Sequence, residues 1–301
     1  MPPPAPGYGG AVQVPRGEAN PPVPLLTGGP SPPRDVLAAE PLFEQWRFVA
    51  EGGGGRVWAA FDRGLGRWVA AKVTDDPASV AEARTAARVQ HSRVLAIHRA
   101  VVVGAVMLIE AELAVESLAD HVSRAPLSGV ELLVVASDLL DAVTAVHRAG
   151  LLHLDVKPAN VLVVADATIR LADFGLAQQL DGARASGSGT RGYGAPEQFV
   201  TGAPLDASAD VFAWAATVRA LVTASGGAAP AQVPHELLAL LEACGGEPSA
   251  RPTTGEARRV LDELLLERSA VGLRTQRRAV IGLGLVAAAT LVSVVVALLA
   301  R

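Results

Sequence analysis

Lysine is nearly missing from this chain. Of its 26 basic residues, 24 are arginine, and Lys72 and Lys157 are the only lysines. Asparagine is equally scarce, confined to Asn20 and Asn160. A single cysteine, Cys244, excludes an intrachain disulfide framework and suits a reducing compartment. There is no basic excess: a net charge of -4 and a pI near 5.9 exclude an electrostatic nucleic-acid binder, whose domain normally has a pI above about 9. No charged segment followed by an apolar run opens the chain, so no signal peptide is expected, and no internal repeat is present.

What is present is unevenly spread. Residues 1–41 hold 12 of the 21 prolines, interleaved with glycine and without apolar periodicity, so residues 1–42 are expected to be a disordered tail. Its clusters Pro21-Pro22-Val23-Pro24 and Pro30-Ser31-Pro32-Pro33 would suit either a plain linker or a partner with a polyproline groove. At the other end, the 22 residues from Ala279 to Ala300 carry no charge. As a helix they would span about 33 Å against a hydrocarbon core of about 30 Å, which predicts one transmembrane helix in contact with bilayer lipid. Arg274, Arg277 and Arg278 precede this run within a basic linker at 269–278, and only Arg301 follows. That bias predicts a cytoplasmic N-terminal portion and an outside C-terminus in the cell membrane. Gly284 and Ala288 form a small-residue pair that would suit a homodimer.

Between these ends the pattern changes twice. Trp46–Ala50, Val57–Phe61, Arg67–Val73, Val94–Val103 and Val106–Ile109 read as strands, with a short helix entered through Asp76-Pro77. Helical spacing then dominates at 128–147, 210–223, 235–243 and 254–268. The fold class is therefore α+β.

Four stretches carry the chemistry. Gly52, Gly53, Gly54 and Gly55 lie between two strands, where bare backbone N–H groups can approach phosphate oxygens. Lys72 ends the run Val69-Ala70-Ala71-Lys72 on the next strand, and Glu82 on the following helix is its candidate ion partner. His153-Leu154-Asp155-Val156-Lys157-Pro158-Ala159-Asn160 packs a carboxylate, an ammonium and an amide into six residues. Asp173-Phe174-Gly175 adds a second carboxylate beyond a hairpin turning at Asp166. Asn160 and Asp173 would meet the sparse oxygen ligation that Mg²⁺ prefers. His91, His98, His121, His147 and His235 make no metal-ligand pattern and read as surface or boundary residues, while His153 reads as a structural hydrogen-bonding residue.

In this order the motifs resemble the eukaryotic-like (Hanks-type) bacterial serine/threonine protein kinases, over about residues 43–268. Ala195-Pro196-Glu197, Gly189-Thr190 with Tyr193, Asp210, and Pro248-x-x-Arg251-Pro252 extend the match. The resemblance implies a small β-rich N-lobe above a larger helical C-lobe, and transfer of the ATP γ-phosphate, with Mg²⁺ or Mn²⁺, to protein Ser/Thr hydroxyls. It implies that Lys72, held by Glu82, orients the α and β phosphates, that Asp155 accepts the substrate proton and that Lys157 steadies the γ-phosphate. Asn160 and Asp173 would bind metal, Val57 and Ala70 would enclose adenine, and the backbone from Glu110 to Glu112 would bond its edge. Thr190 would face the substrate, Arg251 would brace Glu197, and Asp210 would start a buried helix. The alternative is a pseudokinase serving as a membrane-anchored interaction module. Three departures stand out: Ala50 replaces the first loop glycine, Gly54 replaces a tip aromatic, and Leu154 replaces the Arg that receives an activation-loop phosphate in many relatives. The last predicts activity that depends little on loop phosphorylation.

The two lysines support the same site independently. If arginine has displaced lysine wherever a planar cation serves, the survivors mark places that need a compact point charge, and both fall in the proposed phosphate site.

Overall fold

The computed structural model describes residues 29–52, 55–226 and 233–268. Five antiparallel strands form the first sheet: β1 (Phe43–Gly52), β2 (Gly55–Asp62), β3 (Arg67–Thr74), β4 (Ile97–Val103) and β5 (Val106–Glu112), in spatial order β1-β2-β3-β5-β4. Strand alternation gives the sheet two apolar faces. Val69, Ala71 and Val73 of β3 pack outward with Trp58 and Leu108, whereas Ala70 and Lys72 face a cleft beneath.

A short helix α1 (Arg34–Ala39) covers the outward face. This corrects the expectation of disorder over 1–42 for the part from residue 29 onward. Val36 is fully buried against the sheet, Trp58 Nε1 donates to the Pro30 carbonyl at 2.9 Å, and Glu40 pairs with Arg99. Composition alone missed it because one turn with one buried valine has no periodicity; its order comes from the sheet it covers. The remainder of the expected tail, residues 1–28, lies outside the described residues.

Helix α2 (Pro77–Ala86) closes the cleft side of this lobe. Asp76 caps it by accepting the N–H groups of Ala78 and Ser79, with proline at the first position.

The second lobe begins with β6 (Ala114–Ser117), α3 (Leu118–Arg124) and α4 (Gly129–Arg148), the last opened by a reciprocal Ser128/Glu131 capping box. Next come β7 (Leu151–Leu152), the hairpin β8 (Val161–Val164) and β9 (Ile169–Leu171), then β10 (Gln178–Gln179), α5 (Ala207–Ala224), α6 (His235–Cys244) and a helix α7 at 254–268. β6-β8-β9 and β7-β10 form two small sheets. Helices α4 and α5 are the core: Leu132, Leu139, Leu140, Val143, Trp214 and Val218 are essentially inaccessible, and Trp214 Nε1 donates to the Ala136 carbonyl at 2.9 Å.

The lobes are joined near Val94, which was expected to open a strand. It makes instead an isolated bridge to Leu171, with the Leu171 amide bonded to the Arg93 carbonyl at 2.8 Å and the Leu95 amide to the Leu171 carbonyl at 2.9 Å. Among the described residues no helix is long and apolar enough to cross a membrane. The expected span at 279–300 and its basic linker lie outside them.

Candidate active site

A cleft of about 260 Å³ opens between the lobes. Val57, Ala70 and Lys72 form its roof, Glu82, Ala83 and Ala86 its back wall, and Leu162, Ala172, Asp173 and Phe174 its floor. Gly55 ends the glycine turn at φ +119, and a Cβ there would lie 2.4 Å from the Val73 carbonyl oxygen, so no other residue fits. Gly52 pairs with Gly55 across the turn; Gly53 and Gly54 lie outside the described residues.

Lys72 Nζ stands 3.7 Å from Glu82 Oε2, each about one quarter exposed. Burial pushes the Glu82 carboxyl above its ordinary value, Lys72 opposes that shift, and the neighbouring Asp173 adds to it.

The expectation for the connecting strand needs correction. In β5, Ala111 is registered opposite Ala70 and faces the cleft, which places Glu110 on the far side. There its side chain is bound by Arg99 at 2.7 Å and Arg67 at 3.6 Å. Ala111 and Glu112 of the expected stretch line the cleft, and Leu113 and Ala114 continue its edge. Of the two glutamates expected there, only Glu112 borders the cleft, and its side chain is clamped by both arms of Arg170.

The opposite end of the cleft is polar. Asp155 is buried, and three side chains converge on its carboxylate. Lys157 Nζ and Asn160 Nδ2 donate to Oδ2 at 2.7 and 2.8 Å, and the Thr190 hydroxyl donates to Oδ1 at 2.7 Å. Lys157 also donates to Thr190 at 2.9 Å. A hydroxyl thus already rests on the oxygen that would take a proton from an incoming alcohol. Asn160 uses its amide N–H groups on Asp155, which leaves its side-chain carbonyl oxygen as a donor for a cation. Asp173 is exposed to the cleft in a left-handed conformation, φ +65, bonded to the Gly175 amide at 3.2 Å. Two hard oxygen donors fit a magnesium ion that keeps most of its waters. Among the described residues no group of three or more His, Cys, Asp or Glu side chains could hold a metal.

The loop bearing Asp155 is held from below. Asp210, fully buried on α5, accepts the amides of His153 at 2.8 Å and Leu154 at 2.7 Å. His147 Nε2, at a half-buried boundary position as expected, lies 2.9 Å from the same carboxylate, a partner the sequence did not suggest. That contact joins residues 63 positions apart and leaves no local trace in the sequence. Gln198 was missed as well. Almost wholly buried, it donates to the Leu154 carbonyl at 2.8 Å and accepts from the Ala195 amide. His153 is structural, as expected: Nδ1 accepts the Asp155 amide at 3.3 Å and Nε2 faces the Ala172 carbonyl at 3.1 Å, which requires the neutral Nε2–H tautomer. Arg251 grips Glu197 with both guanidinium arms, one at 3.0 Å, and lies over the Phe212 ring.

Residues 43–237 match the protein kinase domain family. The chain belongs to that family. Among individual proteins, it is 32% identical over 203 residues to serine/threonine-protein kinase PknA of Mycobacterium tuberculosis, covering 60% of this chain and 46% of PknA. It is 32% identical over 193 residues to PknL of the same species, covering 58% and 47%. It is 35% identical over 155 residues to the probable serine/threonine-protein kinase PkwA of Thermomonospora curvata, covering 44% and 21%. The chain thus spans less than half the length of each of these relatives. Of its motif residues, Lys72, Glu82 and Asp173 line the cleft, and Lys157, Asn160 and Thr190 are hydrogen-bonded to Asp155.

Proposed function

We propose that this protein is a serine/threonine protein kinase that transfers the ATP γ-phosphate to protein hydroxyls at the cytoplasmic face of a membrane. The observation that carries the reading is the convergence of Lys157, Asn160 and the Thr190 hydroxyl on Asp155. ATP with a divalent cation, Mg²⁺ or Mn²⁺, supplies the electrophilic phosphorus and an ADP leaving group. Asp155 Oδ1 accepts the proton as the substrate oxygen bonds to that phosphorus and the bond to the ADP oxygen breaks. Lys157 neutralises charge on the transferring group, Lys72 fixes the preceding phosphates, and Asn160 and Asp173 would hold the metal. Because the chemistry is positioning and charge neutralisation, loss of any one of these groups costs orders of magnitude in rate. The uncharged run Ala279–Ala300 supports a C-terminal anchor, with Arg274, Arg277 and Arg278 on the cytoplasmic side.

The test is label transfer from ATP to a generic basic protein by the full chain, beside Lys72→Met and Asp155→Asn. Transfer lost in both variants is expected. Equal transfer in all three would sink the kinase reading, and nucleotide binding without transfer would select a pseudokinase. Membrane attachment is read separately: the full chain should float with liposomes, and a chain ending at residue 268 should not.

A further inference from the structure

The loop that follows Thr190 carries a cation prepared for a substrate. Thr190 is bonded to Asp155, so a phosphoacceptor reaching Asp155 must lie against the backbone of residues 190–193. Arg191 is the next residue, and it is exposed. Its guanidinium lies 5.5 Å from the centre of the Phe199 ring, and among the described residues no carboxylate pairs with it. The ring is itself fixed under the loop. A Cβ at Gly194 would lie 3.0 Å from it and one at Gly189, whose φ is +149, 3.3 Å, so the ring packs closely against both glycines. Stacking on a fixed ring restricts the Arg191 side chain before any partner arrives, which lowers the entropy lost on pairing. The surroundings do not cancel its charge: residues 174–195 contain Arg184 and Arg191 against Asp181 alone, and Glu197 is already bound by Arg251.

We infer that Arg191 is a specificity-determining residue that selects substrates with an acidic side chain within three positions of the phosphorylated Ser or Thr. The inference rests on the kinase reading and names its substrate class. A carboxylate there would meet the forked donors of Arg191 at a wet protein surface. Exposed pairs of this kind are worth a factor of about two to five in affinity and weaken with salt.

The experiment uses the full chain with Mg-ATP and short peptides holding one serine, with Asp, Ala or Arg placed in turn at each of three positions on either side. The readout is the ratio of kcat/KM for Asp over Ala peptides, which is insensitive to the fraction of enzyme folded. The wild type is expected to favour Asp at one or more positions by about two- to fivefold, mainly through KM. Arg191→Lys should keep the preference, Arg191→Ala should erase it, and Arg191→Glu should turn it toward Arg peptides. Equal ratios for Asp, Ala and Arg in the wild type, or an Asp preference unchanged in Arg191→Glu, overturns the inference while leaving the kinase reading intact. Absence of transfer to every peptide overturns that reading and the inference with it.

Discussion

Asp210 Oδ1 accepts the amide of Leu154 at 2.7 Å, and Leu154 sits in a left-handed conformation at φ +64 that a branched apolar residue rarely adopts. A buried carboxylate on α5 therefore fixes the turn that aims Asp155. Replacing Asp210 with Ala would orphan two buried amides and His147. The expected loss is about 3–5 kcal/mol in urea unfolding, with kcat falling about a hundredfold as Asp155 shifts. KM for ATP should change little, because Val57, Ala70 and Lys72 lie on the other lobe. A variant of wild-type stability would show that the carboxylate is dispensable.

Stability should decline on acidification in two stages. Burial pushes the His153 imidazole below its ordinary value, against the opposing charges of Asp210 and Asp155. As pH falls through about 6.5 the unfolded chain takes up a proton that the folded one refuses, so stability falls from there downward. His98 is lowered in the same direction, first by burial and then by Arg67. Burial acts to raise Asp210, but the His147 hydrogen bond and charge and the His153 amide overcome it and hold the carboxyl below its usual range. Its contribution is present above about pH 4 and is lost as pH falls through the lower folded value. Urea midpoints at pH 7.5, 6.0 and 5.0 should decrease in that order, and His153→Gln should flatten the slope between the last two.

The segment after Asp173 is tied down by apolar packing and backbone hydrogen bonds. Leu154 is buried with Ala183, Ala185, Ala195, Leu205 and Ala209, and backbone bonds tie Ala185 to Ala203 at 2.9 Å and Leu205 to Ala183 at 3.1 Å. The double variant Ser186→Ala, Ser188→Ala, altering two exposed hydroxyls, should keep kcat/KM within about twofold. Leu154→Arg, which places an unpaired cation among alanines, should instead cost about 3 kcal/mol or more in unfolding free energy. Loss of activity in the serine variant would mean that phosphorylation does the ordering.

Helix α1 belongs to the folded unit although the kinase family match starts at Phe43. Val36 is inaccessible while its neighbour Leu37 is 38% exposed. Val36→Asp should lower the thermal midpoint by several degrees, a loss of about 2–3 kcal/mol, and Leu37→Asp should leave it nearly unchanged. Equal effects would show that α1 does not seal the sheet.

Much of this was legible in the sequence where chemistry dictates residue type. Motif spacing pointed to Lys72, Glu82, Asp155, Lys157, Asn160 and Asp173; Lys72, Glu82 and Asp173 line the cleft, and Lys157 and Asn160 both donate to Asp155. The outward facing of the Glu110 side chain was not legible, because Val106 to Glu112 shows no clean alternation and the facing is set by pairing Ala111 with Ala70, a contact across strands. His147 and Gln198 were illegible for a related reason: each bonds a partner tens of residues away, and nothing near it in the chain announces the bond. Helix α1 was hidden by the prolines around it.

The near-absence of lysine gives the molecule an unusual chemical surface. Lys72 lines the cleft and Lys157 is bonded to Asp155, so apart from the terminal amine every amine of this chain lies in the candidate active site. An amine-directed dye or affinity label should therefore report on these two positions rather than on a scattered surface. By the same token, amine coupling to a resin or sensor chip at either lysine should abolish label transfer, while coupling through the terminal amine should spare it.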